Sequence, residues 1–488
     1  MKAQLFRLAK NSGIYGIGST VIKCINILLL PLFTAYLTPS DYGILSLLGL
    51  LTFVAQPIFT LGLSAAMGPC YFDRSSLQNK SLTTWTSFSI LLISSSILTI
   101  ISWSCSRYLS MIALNSPDYG YFVSLSLTAC AIGILQTPFM QRIQFEEHGQ
   151  VFIKITIFSS LVSILLRLIT VVFLNWGIEG ILLAQLLSTI MTFLLFFIFG
   201  SRGTTFLCSR HTVRELLRLG LPLVPSFAFL FILMRGNQYI LESFEGMDQV
   251  GIYSVGLNIG MVMGIATGAA STAWYPFFMS YIDNQCEAKT LFGRIFTYYL
   301  YSLGTICLLF FIGAKLIILL ITQPAFHQAS LIVGLAASAQ FFSGLFNMLL
   351  PGVYFAKEIK YVSFTQGLAA IFSVVINLIL IKLGGLFGAA LGLALSHFLM
   401  TVFQWIWNAY RKEHYIQVEY EWRRIFSFTF VFFVFSIASF IPRTTSNWIE
   451  FGYTICLTFS LLIIVLLLMK DNERNFLQNR ICMTLGIS

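Results

Sequence analysis

The sequence predicts an all-α membrane protein of about fourteen transmembrane helices. It arranges them as two pseudo-symmetric six-helix lobes around a central cavity, plus a C-terminal helix pair. Three observations carry this. Of 488 residues, 57% are hydrophobic and only 10% charged, whereas soluble domains carry about 25% charged residues. Apolar runs of about 20 residues, enough to cross a bilayer as helices, follow one another from end to end; a β-barrel would show short alternating segments instead. Finally, Gly43/Gly251, Gly177/Gly385, Gly180/Gly388 and Ser188/Ser396 all share one spacing of 208 residues.

The spans are read at 12–37, 42–66, 84–106, 119–140, 151–174, 178–199, 219–241, 250–274, 295–320, 329–354, 361–382, 386–409, 425–441 and 450–469. Lys2, Arg7 and Lys10 precede the first. That run is too long for a signal peptide and lacks a small-residue cleavage site, so it is an uncleaved helix. Pro31 loosens its outer end. Thr38-Pro39-Ser40-Asp41 stops it and caps the second span. A related corner returns at Gly246–Tyr253. Trp176–Gly180 turns the fifth span into the sixth, and Gly384–Gly388 repeats that corner before the twelfth. Leu5–Leu8 also resembles Leu216–Leu219.

Six spans therefore match six in the same orientation, as expected for two halves related by an axis along the membrane normal. The lobes are residues 1–199 and 219–410. Residues 200–218, with four arginines, link them, and residues 411–488 hold a second linker and the extra helix pair.

With the N-terminus in the cytoplasm, 21 of the 29 Lys and Arg fall in cytoplasmic segments. Arg107, Lys382 and Arg443 fall outside, and five lie within spans. Such asymmetry sets orientation and places both termini in the cytoplasm. It also accounts for the net charge of +10 without nucleic acid. The nine cysteines and five histidines are scattered, which supports neither a disulfide framework nor a metal site. No GxxxxGK[ST] phosphate loop is present.

The five charges embedded in spans are all basic, with no Asp or Glu deep in any span, and intramembrane charges usually face a cavity. Lys154 and Lys315 are read as reaching an interface along their alkyl stems. Lys23 shares a helix face with Gly16, Ser19 and Asn26; Arg167 shares one with Ser160 and Ser163; Arg235 shares one with Gln238 and Glu242. Each of these three cations either lines a cavity or donates to backbone carbonyls. Polar stripes through Gln56, Gln185, Gln340 with Asn347, and Thr401 with Gln404 add candidate lining, as does His397. Any one of them also serves as a helix–helix hydrogen bond. Gly260, Gly264 and Gly268 form a packing face. A basic cavity without acids favours an anionic ligand, because a guanidinium pairs with phosphate or carboxylate oxygens through two hydrogen bonds.

The segment Pro31–Ile44, PLFTAYLTPSDYGI, resembles the first corner of bacterial polysaccharide transporters, the O-antigen-repeat flippases of the superfamily that includes multidrug extruders. Gly220–Ser226 and Val250–Ser254 extend the similarity. The resemblance implies movement of polyprenyl-pyrophosphate-linked oligosaccharide across the bacterial inner membrane, without enzymatic activity or cofactor. It also implies the lipid bilayer and polysaccharide polymerase machinery as partners. Coupling to an H+ or Na+ gradient is not readable. Where that family often has an Asp-Arg pair in its seventh span, this chain has Asn237-Gln238, and Arg235 is the candidate replacement cation. A multidrug antiporter and a peptidoglycan-precursor flippase are the alternatives.

Overall fold

The computed structural model describes residues 30–72, 77–146, 148–221, 224–279, 281, 284–356, 358, 360–440 and 447–468. These are helices joined by short turns, with no strand among the described residues. Ten of the helices are long and apolar enough to cross a membrane, or eleven if the bent pair Met247–Gly260 and Met263–Met279 is one span. The chain is a multi-pass membrane protein. One of the ten, Lys360–Tyr410, is broken by non-helical backbone at Gly384 and Gly385. Fifty-one residues of straight helix would reach about 77 Å, over twice the roughly 30 Å hydrocarbon core, so this segment is long enough for two crossings. The first expected span lies mostly outside the described residues, and fourteen exceeds the number these residues show.

Contacts divide the chain into two compact units, residues 1–254 and 255–488. The first contains α1 (Leu30–Tyr36), α2 (Pro39–Thr60), α3 (Leu63–Phe72), α4 (Leu77–Ser104), α5 (Ser106–Leu114), α6 (Gly120–Leu135), α7 (Thr137–Phe145), α8 (Gly149–Leu168), α9 (Gly177–Gly200), α10 (Arg210–Gly220) and α11 (Val224–Glu245). It ends within α12 (Met247–Gly260). The corner before α2 forms as the sequence predicts. The Asp41 amide donates to Thr38 Oγ1 at 3.2 Å, and the Thr38 amide donates to Asp41 Oδ2 at 2.8 Å. This reciprocal box satisfies two N–H groups of the helix start. α2 ends at Leu61, in the left-handed region at φ 55°, followed by Gly62 at φ 66°.

Phe139 and Ile143 form the core of the first unit with Ile155 and Phe196; Trp85 and Phe88 pack against them. Arg142 fastens one end of this core. Its guanidinium donates to Glu146 at 2.8 Å and to the carbonyls of Gly200 and Arg202 at 2.7 and 3.1 Å. The Tyr71 hydroxyl also donates to Glu146.

The second unit contains α13 (Met263–Met279), α14 (Gln285–Ile321), α15 (Ser330–Met348), α16 (Pro351–Phe355), α17 (Lys360–Tyr410), α18 (Trp422–Ser439) and α19 (Asn447–Leu468). α15 lies at its centre, with most of its residues buried. Gly260 and Gly264 pack on α15 as expected, whereas a Cβ at Gly268 would meet nothing within 4 Å. Glu358 forms a polar hub like that of Glu146. It pairs with Arg411 at 2.6 Å and accepts from the Tyr415 hydroxyl at 2.8 Å.

The Tyr415 hydrogen bond, then the Arg411 guanidinium, hold the Glu358 carboxyl below the ordinary carboxylate value of 4.5. A depressed carboxylate contributes stability that is present above its unfolded pKa and lost as pH falls through its folded one. Thermal unfolding in detergent is therefore expected to show a fall in midpoint below about pH 4.5. Glu358→Gln should flatten that part of the profile; an unchanged profile contradicts the assignment.

Candidate functional site

Arg167 sits in the last turn of α8, where the helix widens into a π-helical segment, Ile169–Phe173. The Leu174 amide reaches back to Ile169 O at 3.0 Å, the i→i+5 pattern that recurs at functional sites. Thr170 Oγ1 in this segment donates to Gly180 O at 2.9 Å, tying the end of α8 to the start of α9. The apolar side chains of Phe33, Leu37 and Val171 pack beside it. The Arg167 side chain is half-buried, and its Nε is buried without a hydrogen-bond partner. An N–H inside a membrane protein is costly to leave unpaired, so this guanidinium has capacity for an acceptor that the described residues do not supply.

A second polar group lies along α11, where Arg235, Gln238 and Glu242 share one face. Gln238 is fully buried. Its Oε1 accepts from Ser46 Oγ of α2 at 3.2 Å, while its Nε2 has no partner. Asn237 Nδ2 donates to the Tyr253 hydroxyl at 2.6 Å, and the same tyrosine lies within electrostatic reach of half-buried Arg235. Asn237 and Gln238 are thus neutral groups bonded to Tyr253 and Ser46 respectively, with Arg235 the cation on the same helix. The sequence places Glu242 beyond the seventh span; α11 instead runs on to Glu245, so Glu242 is buried in its last turn and accepts from Asn115 Nδ2 at 2.6 Å.

The remaining predicted residues are dispersed. Lys23 and Asn26 lie outside the described residues. Gln56 is exposed on α2 and Gln185 half-buried on α9. In the second unit, Gln340 lies against Gly264, and Asn347 Nδ2 donates to Ser271 Oγ at 3.0 Å. Both pairs are 76 residues apart, so α13 and α15 run side by side in parallel with a polar seam. His397 is buried, with Nδ1 3.0 Å from Leu393 O on its own helix. Among the described residues, no group of three His, Cys, Asp or Glu could hold a metal ion.

The sequence reading missed an apolar cavity of about 400 Å³ in the second unit, among α14, α15, α17 and α18. Phe311, Phe341, Phe342, Phe398, Phe428 and Phe432 contribute much of its wall. On α18 the lining recurs at Ile425, Phe428, Thr429, Phe432, Phe433 and Ser436, the period of one helix face. The signal was present in that spacing, but apolar residues in a membrane helix do not distinguish a lipid-facing stripe from a cavity wall.

Comparison with known proteins gives three findings. The model of a family described as polysaccharide biosynthesis protein matches residues 8–282. A protein of the Lsg locus of Haemophilus influenzae is 23% identical over 289 residues, which cover 57% of this chain and 68% of that protein. Two solved structures share the fold. The lipid II flippase MurJ in an inward closed conformation has a TM-score of 0.69 at 13% identity, covering 91% of this chain and 98% of MurJ. An inward-facing multidrug resistance MATE family transporter of the MOP superfamily has a TM-score of 0.62 at 16% identity, covering 80% and 94%.

Proposed function

Because the chain belongs to the polysaccharide biosynthesis protein family, we propose that it is a flippase. It carries polyprenyl-pyrophosphate-linked oligosaccharide repeat units across the bacterial inner membrane for surface polysaccharide assembly. The observation that carries this reading is the buried, unpartnered Nε of Arg167. With Lys23 and Arg235 it supplies cationic donors suited to a pyrophosphate or an acidic sugar.

The mechanism is alternating access by two lobes, residues 1–199 and 219–410, with both termini in the cytoplasm. The repeat supports it: Gly177 and Gly385 both take positive φ, at 54° and 47°, and Pro117 and Pro324 both open 3-10 turns. A polysaccharide polymerase is the partner expected to receive the flipped lipid.

The test is the leaflet on which lipid-linked oligosaccharide resides in a gene-deletion strain. Accumulation on the cytoplasmic leaflet, with loss of surface polymer, is the expected result. A normal distribution and normal polymer, in a strain without a second flippase gene, would overturn the reading.

A further inference from the structure

The linker between the proposed lobes contains a feature outside the proposed cation site. α10 is an eleven-residue helix, RHTVRELLRLG. Its two sides differ in character. Thr212, Leu216 and Gly220 are buried; Leu216 packs with Ala66 and Cys70 of α3. Arg210, Arg214 and Arg218 are all exposed and follow each other at i, i+4 and i+8, so they form a ladder on the side away from α3. The acid on this helix, Glu215, lies 3.9 Å from His211 and off the ladder. Exposed Phe206, Leu207, Leu219 and Leu221 flank it, which gives a cationic face bordered by apolar groups, the pattern of a helix lying in a membrane interface.

We propose that this face seats on anionic phospholipid headgroups of the cytoplasmic leaflet, with Arg210, Arg214 and Arg218 as the contacts. The cytoplasmic placement rests on the orientation proposed above. Charge complementarity selects the occupant: a row of guanidinium groups at a bilayer surface matches phosphate oxygens. The seat is coupled to the rest of the unit. A Cβ at Gly220 would overlap Leu61 O, and one at Gly62 would overlap Gly220 O. α10 is therefore in backbone contact with the break between α2 and α3, and headgroups that hold α10 also hold that break.

The experiment uses the full chain in bilayers of phosphatidylcholine containing spin-labelled phosphatidylglycerol or spin-labelled phosphatidylcholine. It compares the parent with the triple variants R210Q/R214Q/R218Q and R210K/R214K/R218K. The parent is expected to prefer phosphatidylglycerol. The glutamine variant should lose that preference at least about fivefold, as expected for removal of surface cations worth about fivefold each. The lysine variant should keep it, and salt at about 0.5 M should weaken it in both charged forms. An unchanged preference in the glutamine variant overturns the proposal. So does loss of surface polymer with the lipid preference intact, which assigns the ladder to an acidic protein partner. If the triple glutamine variant does not insert, R214Q alone should show a smaller loss in the same direction. The lipid measurement needs no substrate, so its failure is distinct from failure of the flippase reading.

Discussion

Replacing Arg167 by glutamine is expected to lower export of lipid-linked oligosaccharide by roughly 10- to 100-fold, the range for losing one hydrogen bond to a charged partner, while folded protein stays in the membrane. The half-buried guanidinium presents an Nε without a partner. Removing it therefore breaks no hydrogen bond at Nε, and it takes away a buried N–H that has no acceptor among the described residues. A residue held only for stability would behave in the opposite way, with export following the amount of folded protein. Arg167→Lys should recover part of the activity, because it keeps the charge but loses the planar fork that grips two oxygens. The measurement is polymer at the cell surface, normalised to protein in the membrane, together with the leaflet distribution of the precursor. Full export by R167Q would remove Arg167 from the site.

Sequence reasoning succeeded where the cause of structure is local. The Thr38 box is decided by two side chains and three residues of backbone. Gly177 and Gly385 were legible because glycine takes positive φ at little steric cost, so a turn that uses it leaves a mark in the sequence. The matching turns at Pro117 and Pro324 escaped notice, since their 207-residue spacing differs by one from that of the glycine pairs. What the sequence did not disclose is which helices meet. Ser46 with Gln238, and Ser271 with Asn347, are contacts across helices; each looks from the sequence like an isolated polar group on an apolar rod. The neutral pairing of Asn237 and burial of Glu242 likewise depend on Tyr253 and Asn115, which other elements bring in. Arg167 could be named from its sign and depth, but not its place at the π-helical segment, because helix widening leaves no composition signature.

The second large effect is expected at Gly43 and Gly251, where two backbones meet. A Cβ at Gly43 would overlap Met247 O, and one at Gly251 would overlap Pro39 O and come within 2.9 Å of Gly43 N. Pro39 and Met247 are themselves 208 residues apart. The contact is therefore reciprocal, each partner meeting the repeat equivalent of the residue its counterpart meets, as a local two-fold axis requires. Both clashes are with main-chain atoms, which no side-chain rotation relieves. Gly43→Ala or Gly251→Ala must then separate α2 from α12, at a cost of roughly 1–3 kcal/mol for such overpacking, or about 10- to 100-fold in the population of this state. If this crossing closes the outer face, each variant should lose transport. Each should also expose a cysteine placed at Ser46 to a membrane-impermeant maleimide at least about tenfold more readily than the Ser46→Cys parent, by the same free-energy difference. Gly49→Ala is the control. It lies on the same helix, where a Cβ meets nothing within 4 Å, and both export and labelling should match the parent. Equal labelling in G43A and G49A would show that the crossing packs the helices without gating them. Raised labelling confined to G43A and G251A would place the gate at the point where the two repeats touch.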